Sequence, residues 1–251
     1  MVKIKNILVS QPQPADLEKS PYQELVNKYN VKYEFKKFFT VVGLSSAEFR
    51  QSRINLAEFT GIIFTSRNAI DYYFALAKDL RIEISENMKY FCTSDQIAFY
   101  LQKYIQFRKR KIFYGDSTYP SLLPLLKKHK EEKLVLPCND SSNEELYSLL
   151  TANNVNFQKA VIYKNESADL SQIEIKNYDL LCFFSPSGIQ SLKHNFPKYT
   201  QGEQLIATYG KTTLQAAEAA KLRVDIPAPT PTAPSMIMAI DEYIKASKKK
   251  K

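Results

Sequence analysis

The sequence predicts an α/β fold with mostly parallel sheets, and three features of the 251-residue chain predict it. Short apolar runs rich in Ile, Val, Phe and Leu alternate with longer amphipathic stretches. The same elements recur in the same order in the two halves. The composition, 44% apolar and 24% charged, belongs to a chain that buries a core. At this length roughly 70–75% of the unfolded surface is buried on folding, so no disulfide or metal staple is needed.

Strand Ile4–Val9 opens the chain and runs out at Gln11-Pro-Gln-Pro; the helical stretch Asp16–Lys28 and strand Lys32–Phe35 follow. Strand Gly61–Phe64 leads into helix Ala69–Lys78, and strand Tyr90–Cys92 into helix Gln96–Tyr104. Strands Ile112–Tyr114 and Leu134–Leu136 precede helix Glu144–Asn153. Strand Phe157–Val161 comes next, then Leu180–Phe184 with helix Ile189–Asn195, and Leu205–Thr208 with helix Thr212–Lys221. Strand Arg223–Ile226 and a stiff, polyproline-like connector, Pro227–Pro234, lead to a last helix, Ser235–Ile244. Strands alternating with helices of this length imply βαβ units.

The repeat shows in five matched segments. Ile7-Leu-Val-Ser matches Leu134-Val-Leu-Pro at an offset of 127, and Val31-Lys-Tyr matches Val155-Asn-Phe at 124. Phe64-Thr-Ser-Arg-Asn-Ala-Ile matches Phe183-Phe-Ser-Pro-Ser-Gly-Ile at 119. Ser94-Asp-Gln-Ile-Ala matches Gly210-Lys-Thr-Thr-Leu at 116, and Pro120-Ser matches Pro234-Ser at 114. A steadily shrinking offset means the same elements recur with slightly shorter connections. It predicts two similar sheets of about five strands, with ligands beyond the carboxyl ends of those strands.

Several chemistries lack their residues. Cys92, Cys138 and Cys182 are scattered and form no C-x-x-C pair, which argues against a disulfide framework or zinc and for a reducing compartment. His129 and His194 sit in Lys-rich stretches expected to be exposed, away from any triad or metal site. The glycines form no phosphate-binding fingerprint, so no cofactor is expected. Ile7-Leu-Val is too short for a signal peptide, and no apolar stretch approaches the roughly 20 residues that span a bilayer. A cytoplasmic protein without a membrane is expected. Of the formal charge of +9, Lys245 and Lys248 to Lys251 contribute five, leaving +4. That mild excess suits an acidic ligand; no recognition helix or aromatic strand motif points to nucleic acid.

The matched turns carry the candidate chemistry: Thr65-Ser66-Arg67-Asn68, Thr93-Ser94, Ser185-Pro186-Ser187-Gly188 and Gly210-Lys211-Thr212-Thr213. Each follows a strand and leads into a helix, where unpaired N–H groups and the helix dipole attract an anion. Ser66, Ser187 and Thr212 could equally be plain helix caps. Gly188 would allow close backbone approach, and Arg67 and Lys211 could pair with anions or remain solvated. Tyr163, ending a strand, is either an amphipathic core-edge residue or a proton donor. Thr230 and Thr232 in the proline-rich connector could face a cleft.

Phe64-Thr-Ser-Arg-Asn-Ala-Ile, Val161-Ile-Tyr-Lys, Phe183-Phe-Ser-Pro-Ser-Gly-Ile, Gly210-Lys-Thr-Thr and Ala228-Pro-Thr-Pro-Thr together resemble the uroporphyrinogen-III synthase family in order and approximate spacing. The resemblance implies two flavodoxin-like domains with parallel sheets, joined by two extended crossovers near Lys36–Val41 and Ile162–Glu166, with a ligand cleft between them. Residues 1–36 with 167–246 would form one domain, 41–161 the other, and 247–251 a disordered Lys-rich tail. Hinge motion would follow from the two crossings.

The activity implied is cofactor-independent cyclisation of linear hydroxymethylbilane to uroporphyrinogen III, with inversion of ring D and loss of water. The expected protein is a monomer whose partner is this octacarboxylate. Tyr163 would be the proton donor. Thr65, Ser66, Arg67, Asn68, Ser94, Ser185, Ser187, Gly188, Lys211, Thr212 and Thr213 would bind substrate. Two departures stand out: Ser94-Asp-Gln-Ile97-Ala98 replaces the family's Gly-x-x-Thr-Ala, adding Asp95, and Lys211 replaces a proline. A relative that binds a tetrapyrrole or other polycarboxylate without cyclising it is the alternative reading.

Overall fold

The computed structural model describes residues 4–140 and 144–249. In chain order its strands and helices are β1 (Asn6–Val9), α1 (Pro21–Tyr29), β2 (Lys32–Phe35), β3 (Phe39–Gly43), α2 (Ser46–Arg50), β4 (Gly61–Phe64), α3 (Arg67–Asp79), β5 (Lys89–Cys92) and α4 (Asp95–Tyr100). Then come β6 (Ile112–Tyr114), α5 (Leu123–Lys127), β7 (Leu134–Asn139), α6 (Glu144–Ala152), β8 (Phe157–Ser167), β9 (Leu180–Phe183) and α7 (Pro186–Asn195). The chain closes with β10 (Leu205–Tyr209), α8 (Lys211–Ala219), β11 (Ile226–Ala228) and α9 (Met236–Lys249).

The chain divides into two compact units, residues 1–40 with 166–251, and residues 41–165. The passages between them fall inside β3 and β8. One unit carries a five-stranded sheet in the order β11-β10-β9-β1-β2, and the other a six-stranded sheet in the order β3-β8-β7-β4-β5-β6. Parallel pairing joins β2, β1, β9, β10 and β11 in the first, and β8, β7, β4, β5 and β6 in the second. The two orders coincide when β4, β5, β6, β7 and β8 are set against β9, β10, β11, β1 and β2. Each sheet therefore takes the front of one sequence repeat and the back of the other.

Parallel sheets are covered on both faces, so their central strands are apolar throughout. Gly-Ile-Ile-Phe in β4 and Leu-Leu-Cys-Phe in β9 are buried at every position. Alternate side chains go to opposite faces: Ile62 and Phe64 join one core with Tyr73 and Tyr90, and Ile63 joins another with Phe91 and Leu136. In the five-stranded sheet Ile7, Val9 and Leu180 face Ile240, and Leu8, Leu181 and Phe183 face Ile189 and Leu192. Helix α3 buries Ala69, Ile70, Tyr73, Leu76 and Ala77, a single stripe at helical spacing.

Several elements depart from expectation. β3 has no counterpart among the expected strands, because its apolar residues are only half-buried and do not alternate (Phe39, Val41 and Val42 are intermediate). α1 starts at Pro21, which has no N–H to lose at a first helical position, while Asp16 ties back the Lys19 N–H instead. Pro227 and Ala228 of the proline-rich connector belong to strand β11, and Thr230 and Ala233 close a turn by exchanging backbone hydrogen bonds. α9 continues through Lys249, so residues 247–249 are helical where a disordered tail was expected; Lys250 and Lys251 lie outside the described residues. His129 is half-buried against the rings of Phe113 and Phe91, with Lys89 beside it.

Candidate functional site

All four candidate turns follow the carboxyl end of a strand. Thr65 and Ser66 leave β4, and the Ser66 hydroxyl caps α3 by accepting from Ala69 N at 3.1 Å. Thr93 and Ser94 leave β5; both are buried, and Ser94 caps α4 through Ile97 N at 3.3 Å. Phe184 and Ser185 leave β9. Here the cap is Ser185, accepting from Gly188 N at 3.3 Å, and Ser187 lies within the first turn with its side chain buried. Gly210 caps α8 with no side-chain bond, so Thr212 is exposed in the first turn and not a cap, and Thr213 is buried. Two of the three hydroxyls that could have been caps by sequence are thus not caps.

Gly188 does permit a close approach, but to its own unit. A Cβ there would meet Phe183 Cδ1 at 3.2 Å and Ser10 Oγ at 3.4 Å. Asn68 and Lys211 are exposed at the helix starts. Arg67 is exposed too, with its guanidinium 5.3 Å above the Tyr100 ring. Tyr100 is held in turn by hydrogen bonds to both carboxylate oxygens of Asp71, at 3.0 and 2.9 Å.

Tyr163 lies on β8 opposite Asn139 of β7, just past a register shift at Cys138/Asn139. Its side chain is 8% exposed and lines a cavity of about 170 Å³ with Thr65, Ser66, Cys138, Asn139 and Tyr147. Burial raises the phenol's pKa above its ordinary 10.0, and an interaction with the Ser66 hydroxyl opposes that rise. The group is therefore neutral and proton-bearing near pH 7. Tyr72 stacks on it, ring centroids 5.2 Å apart.

Asn139, Cys138, Tyr147 and Tyr72 are additions to the residues found by sequence. Asn139 had a legible signal: a polar residue just past an apolar run, the place that Thr65 holds after β4. Tyr72 and Tyr147 had none among sixteen tyrosines. Among the described residues no group of three or more His, Cys, Asp or Glu side chains could hold a metal, and no helix is long and apolar enough to cross a membrane.

These features define an α/β protein of two parallel-sheet units, with hydroxyl-bearing turns and helix N-termini at the strand ends. Residues 39–238 match the family described as uroporphyrinogen-III synthase HemD, and the chain belongs to that family. A uroporphyrinogen-III synthetase from Helicobacter pylori is 17% identical, with 97% of this chain and 100% of that one covered at a TM-score of 0.57. A mutant uroporphyrinogen III synthase from the extremely thermophilic bacterium Thermus thermophilus is 14% identical, with 98% and 100% covered at a TM-score of 0.49. The Helicobacter likeness is one of fold. Comparison with curated protein sequences finds no significant match.

Proposed function

We propose that the chain cyclises linear hydroxymethylbilane to uroporphyrinogen III, inverting ring D and releasing water without a cofactor. The observation that carries this reading beyond family membership is the proton-bearing Tyr163 phenol, buried against a cavity that Thr65, Ser66 and Asn139 make polar.

The chemistry asks for one proton at one oxygen. Protonating the substrate's hydroxymethyl group lets its C–O bond break and water depart, leaving an electron-poor azafulvenium cation (the N-protonated azafulvene). The substituted carbon of ring D attacks to form a spiro intermediate, which fragments and recloses inverted. The recombined ring then loses a proton, which restores the acid. Tyr163 would supply the first proton, a role worth about 10²–10⁴ in rate. The remaining task is conformational, because attack through the substituted carbon must outrun simple end-to-end closure. Helix N-termini after Ser66, Ser94, Ser185 and Gly210, the hydroxyls of Thr65, Ser187 and Thr212, the Asn68 amide and the cations Arg67 and Lys211 would hold the carboxylates, with the buried Thr213 supporting its turn from within.

A second reading, a binder that does not cyclise, is favoured by Asp95. Its exposed carboxylate already accepts from Gln96 N at 2.7 Å in the first turn of α4, where a substrate carboxylate would otherwise sit.

The test is turnover of freshly generated hydroxymethylbilane, with the products oxidised and the isomers separated. Isomer III formed faster than spontaneous isomer I supports the synthase, and Tyr163→Phe then slows it by about 10²-fold or more. Isomer I alone at the uncatalysed rate sinks it and leaves the binder.

A further inference from the structure

We propose that Tyr72 is a positioning residue for Tyr163, and that Gly43 is glycine because Tyr72 occupies the space a larger residue would need. The inference rests on the proposed role of Tyr163 and adds two residues to it.

Three independent constraints meet on the Tyr72 ring. Its hydroxyl donates to the Val41 carbonyl at 2.6 Å, anchoring the far end of the side chain to β3. Its face lies against Tyr163, with centroids 5.2 Å apart and planes 24° from parallel. The backbone of Gly43 closes in so tightly that a Cβ there would come 2.7 Å from Tyr72 Cδ1 and 3.2 Å from Cε1. A ring pinned at its tip cannot swing away from such a contact at little cost, as a free side-chain end could.

The arrangement has a direction. Tyr72 stands on α3, the helix that Ser66 caps, and Thr65 and Ser66 line the same cavity as Tyr163. One helix thus carries both the polar turn beside the phenol and the aromatic brace behind it. Tyr72 also helps to keep water from Tyr163, consistent with a phenol that holds its proton. The Tyr72 hydroxyl is committed to Val41, so it is a strut and not a second donor. A general acid must stay within a few tenths of an ångström of its target, and misplacement by about 1 Å can cost 10²-fold. Aromatic pairs of this geometry contribute orientation beyond their burial.

The decisive experiment is a double-mutant cycle on turnover. Tyr72→Phe keeps the stack and removes the anchor; it is expected to lower kcat about tenfold with KM little changed. In a Tyr163→Phe background the same substitution is expected to have no further effect on kcat. A Tyr72→Phe loss that persists in full in that background overturns the proposal, as does unchanged kcat in Tyr72→Phe with the fold retained. Gly43→Ala, which presses on the ring from the other side, is expected to reproduce the kcat defect; wild-type kcat in a folded Gly43→Ala protein counts against the role of Gly43.

A second readout does not need turnover. With ¹³Cζ-labelled tyrosine, the Tyr163 resonance is assigned by its loss in Tyr163→Phe and titrated with alkali. Replacing the brace in Tyr72→Leu is expected to bring its midpoint down towards the ordinary tyrosine value, and an unmoved midpoint overturns the proposal. If Tyr72→Leu fails to fold, the same titration in Gly43→Ala decides it. A wild-type protein that makes no isomer III refutes the synthase reading alone, and this titration still judges whether Tyr72 shields Tyr163.

Discussion

Ser66 and Ser185, 119 positions apart, perform the same local task in two different sheets. Each follows a fully buried strand and accepts a hydrogen bond from the backbone N–H three residues on, Ala69 N at 3.1 Å and Gly188 N at 3.3 Å. That equivalence fixes where the two halves of the duplication correspond, and it separates capping from substrate contact. Ser66→Ala and Ser185→Ala should each destabilise by about 1 kcal/mol, read by urea or thermal unfolding. Thr212→Ala should stay within about 0.5 kcal/mol of wild type, because Gly210 is the cap there and Thr212 is exposed. If Thr212→Ala raises KM while leaving stability alone, its hydroxyl belongs to the substrate. A stability loss as large as that of Ser66→Ala would instead make it structural.

Gly210 answers to a different constraint. Its φ is +89°, in the left-handed region, yet no atom lies within 4 Å of where a Cβ would stand. With ψ at 149° this is a conformation that essentially only glycine adopts, and Gly210→Ala should destabilise through backbone conformation alone, by about 1–3 kcal/mol. Gly188→Ala has the opposite cause, since there the Cβ meets Phe183 and Ser10. Enlarging Ser10 should deepen the Gly188→Ala defect and leave that of Gly210→Ala unchanged, which unfolding of the double variants checks.

The fold class was legible because buried parallel strands announce themselves. Ile62-Ile-Phe64 and Leu180-Leu-Cys-Phe183 have no polar residue to spare, and a hydroxyl-bearing turn directly follows each. β3 was not legible: Phe39, Val41 and Val42 are half-buried, so neither a continuous apolar run nor a clean alternation marks it. α1 was placed too early, since Asp16-Leu-Glu-Lys19 has helical composition but Pro21 supplies a better first position. The proline-rich connector misled in the same way, because composition describes a stiff chain without saying that Ile226–Ala228 pairs with β10.

At the candidate site, hydroxyl turns were visible in one dimension and the surroundings of Tyr163 were not. Thr65 and Ser66 precede Tyr163 by almost a hundred residues, and only the pairing of β7 with β8 sets Tyr163 opposite Asn139. The cap assignment failed at Ser187 because Pro186, favoured at the first helical position, puts the cap at Ser185, two residues earlier. Nothing in Asn68-Ala-Ile-Asp-Tyr72 marks the last residue as a brace; that follows from Gly43 and Val41 on a strand the sequence did not reveal.

Arg67 offers a direct test of anion binding. Stacked over Tyr100, whose hydroxyl is tied to Asp71, its guanidinium is held near the start of α3 and remains exposed. Under the synthase reading Arg67→Ala should raise KM about tenfold, equivalent to ~1.4 kcal/mol, with kcat little changed. Arg67→Lys should recover only part of that loss, because a lysine neither stacks as a plane nor pairs in a fork. Steady-state kinetics at two salt concentrations checks both, since the wild-type advantage should shrink as salt screens the exposed charge. An unchanged KM in Arg67→Ala would leave Arg67 a solvated surface charge.

Acid stability should report on Glu48. Its carboxylate accepts from the Ser45 hydroxyl at 2.7 Å and the Ser45 N–H at 2.8 Å, and it pairs with Lys164 Nζ at 3.0 Å. These contacts lower its pKa from the ordinary 4.5 to about 2, with the Ser45 hydroxyl bond first among the causes. The depressed value means that the folded state favours the ionised form. Glu48 therefore contributes its full stabilisation above pH 4.5 and loses it as pH falls towards 2. Glu48→Gln removes the charge at every pH, so the difference in Tm between wild type and variant should be constant above about pH 5 and close between pH 4.5 and 2. Thermal unfolding across that range measures it. A difference that stays constant down to about pH 2 would mean that the neutral side chain serves the α2 cap as well as the carboxylate does.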